Sequence, residues 1–345
     1  MFPDAELIAG LMHWFDTHRR TMPWRGESDP YRIWVSEVML QQTQVATVES
    51  FYRRWMELFP TLDSLAAAPI DTVLTAWEGL GYYSRARNLL AGAQTIRDRF
   101  NGQFPVNRAD ALTIPGVGDY IAGAVISIAY NLPEPAVDGN VIRVITRLAA
   151  IPGDPGRISL RRKIQEILRT CYGPFAPRWV NQAWMEFGAL QCIPHPDCSQ
   201  CPFHQRCTAF QTHHVDSFPE KSPRKPIPHR SGTTFIIRSQ NTLLLVRRPD
   251  HGLLNGLWEP PNCMHHDHSP KEFMEMHGIH PNGNTLGTVT HTYSHFTVTF
   301  HVQPAVLTRS WTSPFWVDFR WITPDTIPSF ARPRVHIKAM TLAGF

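Results

Sequence analysis

The sequence places two carboxyl side chains in different surroundings, one favouring the protonated form and the other the ionised form. Glu37 lies in "WVSEVMLQQT", where a helix would hold it near Val35, Val38 and Leu40 and raise its pKa by desolvation. Asp138 lies in "AVDGNVIRV", directly before a predicted helix, where an N-cap carboxylate belongs and stays ionised. One protonated and one ionised carboxyl are what cleavage of a glycosidic bond through an oxocarbenium-like state requires.

The Pro-Gly-Val-Gly turn in "LTIPGVGDYIAGAV" is a candidate phosphate site. Gly116 and Gly118, on either side of Val117, allow a tight turn and a close approach of the backbone to a ligand. The helix that follows presents unpaired N–H groups with a partial positive charge, which suits a DNA phosphate. For the turn alone, a plain loop between packed helices is the simpler interpretation. Its position between the two carboxyls favours the phosphate.

Four cysteines form a third group, with the spacing C-x5-C-x2-C-x5-C. They are Cys192, Cys198, Cys201 and Cys207. We expect no export signal, and in a chain that is not exported such a cluster indicates a metal or iron-sulfur site in preference to disulfides. The residues alone are compatible with a [4Fe-4S] cluster or with tetrahedral zinc.

The elements that must position these groups change in type along the chain. Residues 5–210 read as helical, with runs at 44–59, 64–78, 84–100, 119–130, 139–149, 159–171 and 176–190. The proline-rich segment 215–230 predicts an extended interdomain linker. Strand-like runs follow at 233–239, 242–248, 288–307 and 319–323, with one helix at 270–277. We therefore predict a multi-domain chain, with an all-α domain over 1–214 and an α+β domain over 231–345.

Composition agrees with two globular domains. The 345 residues exceed one average domain, and the chain is 43% hydrophobic and 18% charged. No apolar run reaches the roughly 18 residues that span a bilayer, so we expect a cytoplasmic protein without a membrane partner. We also expect the protein to be a monomer. The net charge of +4 permits a nucleic-acid partner without requiring one.

Several stretches of the helical part resemble one family of DNA repair enzymes. They are "WVSEVMLQQTQV", "GLGYYSRARNL", "IPGVGDYIAGAV", "VDGNVIRV", "NQAWMEFGAL" and the cysteine cluster. Residues 5–210 thereby resemble the helix-hairpin-helix DNA glycosylases and, within them, the adenine DNA glycosylase (MutY) family. The resemblance implies a helical, two-lobed domain with a [4Fe-4S] cluster. It also implies action on double-stranded DNA and removal of adenine mispaired with 8-oxoguanine or guanine.

The resemblance assigns roles to residues that match the family motifs. Glu37 would protonate the adenine and later handle the water, while Asp138 would stabilise the oxocarbenium ion or its covalent adduct. The supporting and binding residues would be Asn140 and Tyr120 beside Asp138, Arg25 and Gln182 on the flipped adenine, and Gln42 and Tyr82 in the stack around the lesion. Flipping is needed because two flanking carboxyls cannot reach the glycosidic bond inside a stacked duplex.

The second domain resembles the Nudix-like C-terminal domain of the same family. Its Tyr293-Ser294-His295 triplet, with His291 just before it, stands where the family reads 8-oxoguanine with Phe-Ser-His. On the residues alone, Tyr293 and His295 would alternate with Ser294 along a strand. The stretch "CMHHDHSPKEFMEMHG" lacks the paired acidic pattern of a Nudix hydrolase, so we expect binding without hydrolysis.

Two alternatives stay open on the sequence. A glycosylase and lyase of the endonuclease III type would need a lysine amine for a Schiff base, but Lys163 of the helical part lies far from the hairpin, whose matching position is Tyr120. A non-catalytic lesion-binding iron-sulfur protein would be favoured if Glu37 or Asp138 were absent. One departure from the family is the first cysteine interval, five residues where six are usual, which we expect to make the metal site more labile.

Overall fold

The structure, a computed structural model, describes residues 2–220 and 226–345, which group into two compact units. Unit one takes in the described residues of Met1–Ala68 and Asn88–Pro223. Unit two takes in those of Pro69–Arg87 and Arg224–Phe345. Within the predicted linker 215–230, Val215–Ser217 forms a 3-10 turn and the first strand begins at His229, while residues 221–225 lie outside the described residues.

Helices make up most of the first two thirds of the chain, and further helices lie in the last third. They are α1 (Ala5–His18), α2 (Pro30–Leu40), α3 (Val45–Leu58), α4 (Leu62–Ala66), α5 (Ile70–Trp77), α6 (Ser84–Arg99), α7 (Arg108–Ala111), α8 (Asp119–Tyr130), α9 (Gly139–Leu148), α10 (Ile158–Arg169), α11 (Pro177–Leu190), α12 (Thr208–Gln211), α13 (Pro270–His277) and α14 (Arg334–Leu342). Among the described residues, none of the helices combines the length and apolar character needed to cross a bilayer.

Most predicted helices are confirmed within two residues at each end. The single helix predicted at 64–78 is wrong, because the chain forms α4 and α5 there. Pro69 separates them and is the N-cap of α5. Proline has no N–H for a continuous helix, and it turns the preceding residue away from helical angles.

Unit one holds its catalytic candidates between well-packed helices. One apolar core joins α1, α9, α10 and α11, with Trp184 and Phe187 fully enclosed. Helix α2 packs against α8, whose residues Ile121–Ala129 are all buried. Gly188 allows α11 to approach the start of α9, since a Cβ at that position would lie 2.6 Å from the Asn140 Cβ. The ends of α2, α8, α9 and α11 therefore have fixed positions for the site described below.

Unit two contains a mixed sheet. Its strands are β1 (His229–Ser239), β2 (Thr242–Arg247), β3 (Trp258–Glu259), β4 (Asn262–Met264), β5 (Ile279–Pro281), β6 (Gly287–Thr292), β7 (Thr297–Leu307) and β8 (Asp318–Ile322). Strand β1 runs parallel to β7 and antiparallel to β2 and β4, while β6 pairs antiparallel with β7 and β8 with β2.

Apolar residues cover both faces of this sheet. Ile236 of β1 packs in a core that includes Val335 and Met340 of α14, whereas Phe235 and Ile237 pack on the opposite face with Phe273 of α13. Burial on both faces explains the continuous apolar run of β1. The prediction of an α+β second domain is confirmed, although the sequence interpretation missed α14 and the short strands β3, β4 and β5.

Candidate active site

Glu37 lies inside α2, in the apolar surroundings that the sequence predicts. The helix begins at Pro30, after Asp29 caps it by accepting from the Tyr31 N–H. Glu37 is only 6% exposed. Burial raises its pKa to about 7, a hydrogen bond from Tyr120 lowers it, and the nearby charges of Asp138 and Arg25 raise and lower it respectively. A carboxyl with this pKa is protonated in about half of the molecules at pH 7, whereas an ordinary glutamate is almost fully ionised there.

Tyr120, in the first turn of α8, connects Glu37 with the opposite wall of the site. Its hydroxyl donates to the Glu37 Oε2 and also lies 3.3 Å from the Met185 Sδ of α11. Burial and the neighbouring carboxyls raise the pKa of Tyr120 well above its ordinary value, so the phenol stays protonated and serves as a donor.

Asp138 caps α9, as the sequence predicts. Its Oδ1 accepts from the Val141 N–H at 2.7 Å and its Oδ2 from the Asn140 Nδ2 at 3.0 Å. Burial raises the pKa of Asp138, while the Val141 and Asn140 hydrogen bonds and the charge of Arg143 lower it. Burial is the larger effect. The expectation that the cap alone keeps this carboxyl ionised is therefore incomplete, because the cap offsets only part of the desolvation.

Arg143 was not singled out by the sequence, yet it connects the Asp138 partner with the cysteine segment. Its Nη2 donates to the Asn140 Oδ1 at 2.8 Å and to the Gly188 carbonyl at 2.7 Å. Its Nε donates to the Cys192 carbonyl at 2.7 Å. The useful signal in the sequence is the position of Arg143 one turn after Asn140 on the same helix.

A second buried carboxylate, Glu186, was also missed. It accepts from Arg20 and from the Arg25 Nη2, with N–O distances of 2.9 Å. Arg25 Nη1 donates to the Gln182 Oε1, whose amide nitrogen donates to the Arg178 carbonyl. Glu186 stands one turn after Gln182 on α11, which is the signal that the sequence offers. Arg25 and Gln182 are thus brought together, with the Arg25 guanidinium held between two acceptors.

These side chains border one open cavity of about 850 Å³ in unit one. Its wall includes Arg25, Glu37, Gln42, Tyr120, Asp138, Asn140, Arg143, Arg161, Gln182, Met185 and Glu186. Such a volume lies within the range of small-molecule and cofactor sites. Gln42 is exposed between α2 and α3 and has a left-handed backbone with φ of 58°, a conformation that a non-glycine residue adopts at a cost of about 1–3 kcal/mol.

The hairpin turn precedes α8. Gly116 has φ of 78°, and a Cβ there would lie 2.6 Å from the Asn88 Cβ, so this position requires glycine. Gly118 is the N-cap of α8, and no side chain caps that helix. Val117 N–H donates to the Ile114 carbonyl at 3.0 Å and is already engaged. The open N-terminus of α8 at Gly118 is therefore the better phosphate candidate within this turn.

The four cysteines border one small cavity. Cys192 follows α11, and Cys198 and Cys207 stand at the beginning and end of two 3-10 turns, Cys198–Gln200 and His204–Arg206, with Cys201 between them. Across the described residues, no three His, Cys, Asp or Glu side chains are arranged to hold a metal ion. Zinc would draw four sulfurs to about 2.3 Å from one ion.

Arg147 supports the short first cysteine interval. Its Nη1 donates to the Ile193 carbonyl at 2.7 Å and lies 3.6 Å from the Cys192 Sγ, and its Nη2 donates to the Pro194 carbonyl at 2.8 Å. The guanidinium is buried and also donates to the Val215 and Phe218 carbonyls through Nε. The effect of the missing residue on stability of the metal site stays a prediction.

The remaining candidates lie in unit two. Tyr82, His291, Tyr293, Ser294 and His295 all border a second open cavity, of about 710 Å³. The expectation that the triplet lies along a strand is wrong, because β6 ends at Thr292 and β7 begins at Thr297. Tyr293 N–H donates to the Phe296 carbonyl at 2.8 Å and closes a turn between them.

Local contacts hold this second site together. His291 and Tyr293 pack edge to face, with ring centroids 4.6 Å apart, and burial lowers the pKa of His291. Ser294 and His295 are exposed, and the Ser294 hydroxyl lies 3.2 Å from the His295 Nδ1. Tyr82 is also exposed, and its φ of 47° places it in the left-handed region. Exposed polar and aromatic groups on a strained loop and a turn are typical of a binding surface.

Comparison with known proteins agrees with this division. Residues 35–170 match the model of the HhH-GPD superfamily base excision DNA repair proteins, and residues 233–342 match the NUDIX domain. The solved structure of a thermostable thymine-DNA glycosylase is similar to this chain, with 26% sequence identity and a TM-score of 0.55. The match covers 60% of this chain and 96% of that protein's chain.

Curated relatives match over most of the chain. Adenine DNA glycosylase of Mus musculus is 35% identical, over 91% of this chain and 73% of its own length. Adenine DNA glycosylase of Homo sapiens is 36% identical, over 88% of this chain and 68% of its own length. The chain therefore belongs to the adenine DNA glycosylases, DNA-binding enzymes of base excision repair with a helical HhH-GPD domain followed by a Nudix-like domain.

Proposed function

We propose that this chain excises adenine mispaired with 8-oxoguanine or guanine from duplex DNA and leaves the strand uncut. The observation that carries the proposal is the pair of carboxyls on one cavity, Glu37 with a pKa of about 7 and Asp138 capped by the Asn140 amide and the Val141 N–H. The cavity of about 850 Å³ has room for a nucleoside that has left the stack.

In this mechanism Glu37 supplies the proton and Asp138 the charge. Protonated Glu37 donates to a ring nitrogen of the flipped adenine, and the electrons of the glycosidic bond pass to the departing base. The sugar is left as an oxocarbenium ion, which the Asp138 carboxylate stabilises. Glu37, now ionised, accepts a proton from the water that attacks the sugar. Tyr120 and Asn140 hold the two carboxyls in place.

Base recognition falls to the Arg25, Gln182 and Glu186 group. The Arg25 Nε is buried and has no hydrogen-bond partner among the described residues. A heteroaromatic base offers acceptor nitrogens in its plane, which would satisfy this donor. The Glu186 carboxylate and the Gln182 amide hold the guanidinium in one orientation, so the arrangement suits a flat, acceptor-bearing base such as adenine.

For the cysteine site we propose a [4Fe-4S] cluster on Cys192, Cys198, Cys201 and Cys207. The support for this proposal is that all four thiols border the same cavity, as four cysteine ligands of one cluster must. Bound by four thiolates, the cluster would cross-link the segment after α11. The carbonyl bonds from Arg143 and Arg147 hold this segment in position.

Recognition of 8-oxoguanine is proposed for the second cavity, where Tyr82 and the Tyr293-Ser294-His295 turn supply aromatic and polar groups. Hydrolysis is not expected of this unit. Glu272 of α13 is engaged in a capping box with Ser269, and Glu275 is exposed beside Lys271. A strand-cutting lyase is disfavoured too, because no lysine is found among the described residues that border the first cavity.

The test is a single-turnover assay on duplexes with adenine opposite 8-oxoguanine, adenine opposite guanine, and thymine glycol opposite adenine. We expect adenine release from the first two, with strand cleavage appearing only after alkali. Glu37→Gln should abolish release and still bind the duplex, while Glu57→Gln, an exposed glutamate of α3, serves as the matched control. Nicking of the thymine glycol strand without alkali, or normal release by Glu37→Gln, would contradict the proposal.

A further inference from the structure

The Tyr120 hydroxyl has two acceptors within reach and one proton to give. One is the Glu37 Oε2 and the other is the Met185 Sδ at 3.3 Å. A phenol donates one hydrogen bond and accepts others, and a thioether sulfur is a weak acceptor. The hydroxyl therefore donates to one of these partners at a time.

The charge state of Glu37 decides between the two partners. When Glu37 is ionised, it is an acceptor alone, and the Tyr120 hydroxyl donates to it. When Glu37 carries its proton on Oε2, the carboxyl donates to the Tyr120 oxygen. The phenolic hydrogen then needs a different acceptor. Tyr120 is partly buried, and an unsatisfied hydroxyl in such a place is unfavourable. The Met185 sulfur lies within hydrogen-bond distance of the Tyr120 hydroxyl and can accept this hydrogen.

We propose that Met185 is a positioning residue of the reaction, because its thioether accepts the Tyr120 hydroxyl hydrogen when Glu37 carries its proton on Oε2 and so stabilises this acid form of Glu37. The inference rests on the proposed role of Glu37 as the acid. It predicts that the sulfur extends the acid form to higher pH than a hydrocarbon side chain of equal size would.

The other groups that face Glu37 have fixed partners. Tyr120 faces it from α8, Asp138 from the start of α9, and Arg25 from the segment before α2. Asp138 and Arg25 act on Glu37 in opposite directions, and Arg25 is itself paired with Glu186 of α11. Met185 contacts Tyr120 and carries no charge, so its replacement by leucine removes an acceptor without changing a charge.

The experiment measures single-turnover adenine excision against pH for the full chain and for Met185→Leu. Leucine conserves the volume and removes the acceptor. We expect the alkaline limb of the rate to move to lower pH by roughly half a unit, which is about a threefold loss on that limb, with the acid plateau little changed. Met22→Leu is the matched control, since Met22 borders the same cavity without a hydrogen bond from Tyr120. Its limb should coincide with that of the wild type.

A double-mutant cycle tests whether the effect of Met185 depends on the Tyr120 hydroxyl. Tyr120→Phe should move the limb to higher pH, because the hydroxyl bond favours ionised Glu37, and Met185→Leu added to Tyr120→Phe should move it no further. A uniform rate loss in Met185→Leu, with the limb unmoved, would overturn the inference and leave the proposed function standing. Met185→Ile repeats the measurement if leucine impairs folding. A wild-type profile with no alkaline limb would instead overturn the role of Glu37, and this inference with it.

Discussion

Arg143 Nε donates to the carbonyl oxygen of Cys192 at 2.7 Å, across 49 positions of sequence. The same guanidinium donates to Asn140, whose amide in turn donates to Asp138. A continuous chain of hydrogen bonds thus runs from the cysteine segment to the proposed oxocarbenium-stabilising carboxylate. A displacement of the cysteine segment should therefore change the position of Asp138, and the reverse should also hold.

Replacing Arg143 by glutamine should therefore slow excision more than it weakens DNA binding. The change leaves the Cys192 and Gly188 carbonyls and the Asn140 Oδ1 without their donor, at about 1–3 kcal/mol for each group that water does not reach. We expect a rate loss on the order of tenfold or more in single turnover. Arg169→Gln, an exposed arginine of α10, is the control. An unchanged rate in Arg143→Gln would show that Asn140 positions Asp138 without it.

The pH profile of the wild type should follow the ionisation of Glu37. Its pKa is raised to about 7, so the proton that it donates is present below this pH and is lost as the pH rises through it. Above about 7, excision should fall by about tenfold for each pH unit, whereas duplex affinity measured by fluorescence anisotropy should change little. A rate that stays level to pH 9 would mean that another group supplies the proton.

Arg161 should contact a DNA phosphate at the rim of the first cavity. Its Nε donates to the Pro155 carbonyl at 3.0 Å, and its side chain borders the cavity. Each phosphate contact adds about 0.9 to the slope of log affinity against log salt. Arg161→Gln should lower this slope by about one and leave the single-turnover rate unchanged at saturating protein.

The neighbouring arginine makes the test of Arg161 specific. Arg162 is exposed on the same helix but does not border the cavity. Arg162→Gln should keep the wild-type slope, and Arg161→Lys should largely restore it, because a point charge suffices for a phosphate. Equal slopes for Arg161→Gln and Arg162→Gln would refute the assignment.

Glu78 and Arg332 should set the preference for 8-oxoguanine over guanine. Glu78 accepts from the Arg332 backbone N–H at 2.7 Å and from its Nη2 at 2.9 Å, just before the loop that carries Tyr82. Glu78→Gln weakens both bonds, and a loss of about 1.4 kcal/mol in the complex would lower the ratio of the two excision rates about tenfold. The rate on adenine opposite guanine should change less.

Two controls define this result. Asp325→Asn removes an exposed charge elsewhere in unit two and should leave the ratio unaltered. Arg332→Gln should lower the ratio, and the double variant should add little to either single change. Fully additive losses would mean that the two residues act separately.

Local sequence determined much of what could be predicted. The surroundings of Glu37 follow from the apolar neighbours within its own helix, and the cap at Asp138 follows from the residues directly after it. The sequence predicts a strand through the triplet at Tyr293, because Thr, Tyr and Phe follow one another there without a glycine or proline. Nothing in that run marks where β6 ends and β7 begins.

Long-range partners could not be predicted. Glu186 meets Arg20 across 166 positions, and Arg25 meets Gln182 across 157. A single sequence records each residue type but not which distant residue it will face. The catalytic candidates were therefore found from their own neighbourhoods, whereas Arg143 and Glu186, which hold those candidates in place, required the structure.

The position of residues Pro69–Arg87 has a consequence for the newly made chain. They lie early in the sequence, yet the Thr75 hydroxyl donates to the Ser329 carbonyl and the Tyr83 hydroxyl to the Arg332 carbonyl, across 254 and 249 positions. The ribosome releases these residues long before their partners, and domains fold as units while the chain emerges. We therefore expect the segment to remain without these partners through most of translation, and the cavity that Tyr82 shares with Ser294 to form only after the C-terminal residues have been made.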